Sequence, residues 1–337
     1  MIENSQKSNH EILTDLLTGQ HISNRDHIIL KEALKPVFFG NKGFMTWARS
    51  KEEKSLKDAI AEHKELLISD KSLSPDEIVE RFATGANECN QGWQLELFYD
   101  LHKLILGFEG NGLAPDSKNI LSIIQKSLRS DSNEEKSRTI TLVALFCEMS
   151  NSQSRKSTAG NAAESAVELV LRSIGLVAGE TFGAQFEHGE GSDTDFVVPF
   201  NKDDEVHDIK AYIAVQSSTN DRLRLSSSEL KDSGKRYICS LNGCGASSKK
   251  TKDIGNSLIG GQISHDTYYV IIESEKVAAI KEARKQVENA QKKGNLKDED
   301  KARIRLRWLE NHAINYNQFA DHMTEIMAKK FLSDVHS

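Results

Sequence analysis

Long apolar runs, proline, cysteine and a basic excess are all scarce in this 337-residue chain. No run approaches the roughly 18 to 20 apolar residues that a membrane-spanning helix needs, so no such helix is expected. Four prolines argue against a loop-dominated all-β architecture. The four cysteines, Cys89, Cys147, Cys239 and Cys244, are scattered. The last two lack the spacing of a zinc knuckle, and no histidine-rich cluster accompanies them, so reduced thiols in a cytoplasm are the expectation. The opening MIENSQKSNHEILTDLL has no basic segment followed by an apolar one, and no secretion leader is expected from it. There is no GxxxxGK[ST] phosphate loop, no HExxH and no GxSxG, so no nucleotide cofactor is expected. Lys and Arg total 44 against 50 Asp and Glu, a net charge of −6. Nucleic-acid binders usually carry a basic excess. A total, however, averages over faces.

What is present is a chain long enough for a substantial core: 38% hydrophobic and 28% charged residues, with a mean hydropathy of −0.50. At about 150 residues per domain the length suggests two domains, or one with extensions. Residues 1–150 read as helical. Asn24 is placed to cap a helix through Leu34, with Pro36 after it. Residues 51–68 interleave charged and apolar positions at helical spacing. Ser74-Pro75-Asp76-Glu77 starts a helix, with proline in the first turn and acids at the positive end of the dipole. Residues 92–107 are apolar nearly all round, which predicts a buried helix. Residues 134–149 also read as helix.

The texture then changes. SNSQSRKST, residues 150–158, is almost wholly polar and reads as a connection. From Ala162 to Ile174 the apolar positions 163, 166, 167, 170, 171 and 174 form one face of a helix. Strand-like segments follow at Thr181–Phe186, Phe196–Phe200, Asp208–Ser217, Arg236–Leu241 and Thr267–Ile272. A polar turn covers 201–205 and a Gly/Ser/Lys loop covers 242–253. From 276 the chain is helical again. Its charged stretch to residue 310 reads as a solvated helical hairpin breaking at Gly294-Asn295.

The densest chemical signal is Gly191-Ser192-Asp193-Thr194-Asp195-Phe196-Val197-Val198-Pro199, which sets a carboxylate at the mouth of an apolar strand. In a hairpin centred near residue 203, Asp195 lies opposite roughly residue 211, within a few residues of Gln216 at the end of the next strand. Polar groups converging there suit a hard divalent cation such as Mg²⁺, which takes oxygen ligands. The same carboxylate at a solvated strand end is the plainer alternative. A competing motif, Asp208-Ile209-Lys210, is literally D-x-K but sits beside the turn. His188 and His207 flank these strands and read as surface residues.

Directly after the second strand come Asp221-Arg222-Leu223-Arg224 and, eight positions beyond Asp221, Glu229. Upstream stands Ser154-Arg155-Lys156-Ser157-Thr158-Ala159-Gly160-Asn161-Ala162-Ala163-Glu164. In this order the segments resemble the PD-(D/E)-x-K nuclease superfamily, and more closely the type II restriction endonucleases that cut CCGG or CCNGG-type sites. The resemblance covers about residues 150–275. It implies that Asp195 and Glu229 hold Mg²⁺, with Glu164 a further acid. Gln216 stands where that pattern has lysine, and Thr194 where it has proline. Gln216 then positions the attacking water but carries no charge. The resemblance also implies DNA contacts: Asp221 accepting from cytosine amino groups, and Arg222 with Arg224 facing guanine O6 and N7. Phosphate contacts fall to Arg155, Lys156, Lys249 and Lys250.

The expected architecture is α/β: a mixed central sheet flanked by helices, a restriction-endonuclease-like core. The divisions are a helical N-terminal region (1–150), the nuclease core (151–275) and a helical C-terminal extension (276–337). The expected protein is cytoplasmic and cuts double-stranded DNA as a homodimer, since a palindromic site invites a two-fold protein. A decayed nuclease scaffold that only binds DNA, or a modification-dependent or repair nuclease, are the alternatives.

Overall fold

The computed structural model describes residues 7–51, 56–187, 193–204, 208–216, 234–241 and 267–336, with side chains left out at 152–160 and 216 among others. The chain divides into two compact units, Met1–Ile60 with Asn87–Ser157, and Ala61–Ala86 with Thr158–Ser337. Among the described residues eight helices come first: α1 (Asn9–Thr18), α2 (Asn24–Phe38), α3 (Phe44–Arg49), α4 (Leu56–Ser69), α5 (Pro75–Tyr99), α6 (Leu101–Gly107), α7 (Pro115–Leu128) and α8 (Asn133–Ser173). No helix among the described residues is long and apolar enough to cross a membrane.

The first unit is built from capped amphipathic helices around an aromatic centre. Ser8 and Glu11 form a reciprocal cap on α1, and Gly19 ends it at φ +86°. That left-handed value favours glycine because it has no Cβ. On α2 the cap is Ser23, paired with Asp26, one residue before the expected Asn24. The helix also runs through Pro36 to Phe38 instead of stopping at Leu34. Val37 and Phe38 are fully buried, so burial of that last turn outweighs the amide hydrogen bond that proline cannot make. Phe38 stacks on Phe146 with ring centres 5.1 Å apart, and Phe44 meets Phe108 edge-on at 5.7 Å.

Two expectations for this half are corrected. The single buried helix expected over 92–107 is broken at Asp100 between α5 and α6. Its outward apolar residues Leu95 and Tyr99 are 72% and 92% exposed. An all-round apolar pattern gave no inward face, so packing chose one. The polar stretch 150–158 does hold the chain boundary between the two units, at Ser157, but it is helix and not loop: its backbone is the middle of the 41-residue α8. Serine, glutamine, arginine and lysine all tolerate a helix, and no proline interrupts them.

Among the described residues the second unit carries a six-stranded sheet in the order β1 to β6: Gly183–Glu187, Asp193–Val198, Ala211–Gln216, Lys235–Ser240, Thr267–Val270 and Ala313–Ile314. The pairs β1/β2 and β2/β3 are antiparallel, and β3 through β6 run parallel. The architecture is therefore α/β with a mixed sheet flanked by helices. Ala163, Ala166, Val167, Val170 and Leu171 of α8 are buried, which is the helical face read from their spacing. The charged C-terminal stretch is a hairpin of α9 (Glu273–Lys292) and α10 (Leu296–His312), followed by α11 (Tyr316–His336). The hairpin turns at Gly294, φ +63°, where Asn295 caps α10 by accepting from Asp298 N. The break falls where the sequence placed it. The two-residue β6 has no sequence signature; it exists because it pairs with β5.

Candidate functional site

The site expectation rests on the β2/β3 hairpin, and its register decides the geometry. Phe196 pairs with Ile213, Val197 with Tyr212 and Val198 with Ala211. Asp195 therefore faces Ala214, not residue 211, because the hairpin is centred nearer 204–205 than 203. The shift brings Asp195 closer to Gln216, two residues along β3.

Because β2 opposes β3, the start of β2 lies at the carboxyl end of β3. Strands β4 and β5 run parallel to β3, so their carboxyl ends share this edge, and Gln216 pairs with Ser240. Open parallel sheets bind ligands at such edges. Asp195 is only 7% exposed, and its Oδ2 accepts a 2.6 Å hydrogen bond from Val215 N. A carboxylate inside a sheet needs donors of this kind to offset desolvation. Cys239, one position before Ser240, is fully buried; burial drives its thiol pKa far up and the Asp195 charge adds to that. It is a packed thiol, not a nucleophile.

Glu164 arrives at the same strands from α8. Its carboxylate accepts from Gln185 Nε2 at 3.2 Å. The pairs Ala184 with Phe196 and Phe186 with Thr194 set Gln185 across from Asp195 on β1. Gln185 has φ +51°. In the sequence Gln185 is one polar residue in a strand-like segment; its backbone angle and its partner are tertiary facts.

The far wall of the edge is held by α11. Tyr316 is fully buried and its hydroxyl donates to Ser240 O at 3.3 Å. Burial raises its pKa well above the usual phenol range. Tyr316 N donates to Asp76 Oδ1 and Glu273 N to Asp76 Oδ2, both at 2.9 Å. Asp76 N in turn donates to Asn317 Oδ1. The sequence marks Asp76 as a dipole-facing acid in the first turn of α5. It holds that place, and it is also a buried acceptor joining the starts of α9 and α11.

The competing D-x-K motif is separated from Asp195. Asp208 and Lys210 pair with each other at 2.5 Å, with side chains 80% and 54% exposed. Lys210 adjoins the turn, at the opposite end of β3 from Gln216. At about 3.4 Å per residue, four positions from 210 to 214 put roughly 14 Å between it and the level of Asp195.

The remaining expected site residues fall elsewhere. Glu229, Asp221, Arg222, Arg224, Lys249 and Lys250 lie outside the described residues, as do His188, His207 and Cys244. Arg155 and Lys156 lie within the helical backbone of α8, with side chains not described. Among the described residues no group of three or more His, Cys, Asp or Glu side chains is close enough to hold a metal ion.

The described site thus defines an α/β protein with a buried carboxylate at the carboxyl edge of a mixed sheet, a second acid tied to the neighbouring strand, and an amide residue closing the central strand. Comparison with family models, with curated proteins and with solved structures finds no match to this chain.

Proposed function

We propose that this protein is a type II restriction endonuclease of the PD-(D/E)-x-K kind, cutting specific double-stranded DNA with Mg²⁺. The observation that carries the reading is Asp195: a buried carboxylate fixed by Val215 N, at the strand edge where Gln216 ends β3. A buried, hydrogen-bonded carboxylate at the carboxyl edge of a sheet is a candidate for chemistry. The sheet supports the reading too, since its antiparallel β1-β2-β3 meander passes at β3 into parallel strands.

Asp195 and Glu164 offer oxygen donors, which suit Mg²⁺, and Glu229 would complete the set. A bound Mg²⁺ supplies charge to the scissile phosphate and lowers the pKa of a coordinated water. Val215 N holds the Asp195 carboxylate in one orientation. Gln216 accepts from and donates to the attacking water, a role an amide fills without charge. Asp221, Arg222 and Arg224 read G·C pairs in a palindromic site, while Arg155, Lys156, Lys249 and Lys250 hold phosphates. Two copies form the working dimer in the cytoplasm. The net charge of −6 limits non-specific binding without opposing these locally basic contacts.

A second reading is a DNA-binding protein on a decayed nuclease scaffold. Gln216 favours it, because that position lacks the lysine charge of the motif. Phage DNA incubated with Mg²⁺, with Mn²⁺ and with EDTA separates the two. The nuclease reading expects metal-dependent fragments with defined ends. Asp195→Ala should abolish them while DNA binding in a mobility-shift assay stays within a few-fold. Binding without cutting in either metal selects the second reading.

A further inference from the structure

Gln185 is the only non-glycine residue among those described with a positive φ. For a residue with a Cβ that half of conformational space costs roughly 1–2 kcal/mol. Such strain persists where surrounding structure over-determines it. Gln185 lies inside β1, flanked on both sides by regular pairs to β2, so no turn demands the angle. Its side chain spans to α8 and donates to Glu164. Across the ladder it faces Asp195.

We propose that Gln185 is a positioning residue for the cleavage reaction: it aims Glu164 at the strand position beside Asp195, and the backbone strain is the cost of that aim. The inference rests on the nuclease reading above. An amide suits the task. It holds a carboxylate by a neutral N–H, so the acid keeps its charge, whereas lysine or arginine at 185 would cancel it. The anchor also comes from the strand next to β2, so the two acids move with one sheet edge instead of with a separate loop.

The experiment is a double-mutant cycle on the full chain, with Gln185→Gly, Glu164→Gln and the pair, scored by single-turnover cleavage of a phage DNA fragment in Mg²⁺ and by urea unfolding. Glycine relieves the positive φ and removes the amide. Loss of a residue that orients a functional ligand typically costs 10–100-fold. Gln185→Gly should therefore slow cleavage about 10–100-fold, leave the apparent affinity for DNA unchanged, and leave the unfolding midpoint the same or higher. Gln185→Asn, which tolerates the angle but is one methylene too short to reach Glu164, should fall with it. The double variant should be no slower than the slower single variant, because Gln185 acts only through the Glu164 carboxylate, which Glu164→Gln already removes. If Gln185→Gly cuts like wild type, if its loss multiplies with that of Glu164→Gln, or if its midpoint falls in step with its rate, the positioning role is wrong while the nuclease reading stands. If wild-type protein cuts nothing in Mg²⁺ or Mn²⁺, the nuclease reading fails and takes this inference with it.

Discussion

Asp76→Ala tests how the candidate edge is held. The carboxylate is 9% exposed and accepts from two backbone amides, Tyr316 N and Glu273 N, each at 2.9 Å. Removing it leaves two donors at helix starts without their acceptor, at about 1–3 kcal/mol each. Removing it also frees the chain from desolvating a carboxylate. That opposing contribution is real: burial is the largest influence on Asp76 and raises its pKa, outweighing the two amides, which lower it. The net expectation is a loss of about 2–4 kcal/mol. Urea unfolding followed by circular dichroism at fixed denaturant slope measures it. Asp76→Asn keeps one acceptor and should lose roughly half as much. The pH dependence has a definite sign. For an acid whose folded pKa is raised, the folded state binds more protons, so the stability contribution is full below the unfolded pKa of 3.8 and is lost as pH rises through the folded value. The wild-type advantage over Asp76→Asn should thus be largest near pH 4 and shrink toward neutrality. A loss below about 1 kcal/mol for Asp76→Ala would refute the clamp; an advantage that grows with pH would show the two amides outweighing burial and refute the raised pKa. The clamp reaches the site because Tyr316 also caps Ser240 O.

Three other outcomes follow from the structure. Lys210→Ala and Asp208→Ala should leave metal-dependent cleavage within about two-fold, since their exposed pair is worth at most about 1 kcal/mol; loss of cutting in a plasmid assay would move the site to the turn. Gly19→Ala should destabilise the first unit by about 1–2 kcal/mol in thermal unfolding, because φ is +86° and the Arg138 guanidinium must also move aside for the added carbon; an unchanged transition would contradict that cap. In thiol labelling of native protein Cys147 should stay silent, its pKa pushed up to about 12 by burial, and should react only in urea; rapid native labelling there would contradict the core.

Much of this fold is legible residue by residue. The face formed by Ala163, Val167 and Val170 shows in a 3.6-residue period, and the strands around Phe196, Ile213 and Ile238 show in short β-branched and aromatic runs. The break at Gly294-Asn295 shows because glycine and a capping asparagine act locally. Asp195 is legible for the same reason: an acid leading an apolar strand stands out without any partner.

What failed in the sequence reading failed where distant residues decide. The polar run 150–158 looks like a loop, yet nothing in it opposes a helix that both ends continue. Pro36 looks like a stop, yet two buried side chains beyond it carry the helix on. Composition and periodicity alone determined a helical first half, an α/β second half and the candidacy of Asp195. Only tertiary structure decided that Asp195 faces Ala214, that Asp208 and Lys210 point away with each other, that Gln185 joins Glu164, and that Asp76 joins α9 to α11. Hairpin register, a strained strand residue and a buried acceptor are all set by contacts between segments far apart in the chain, and such contacts leave no local pattern to read.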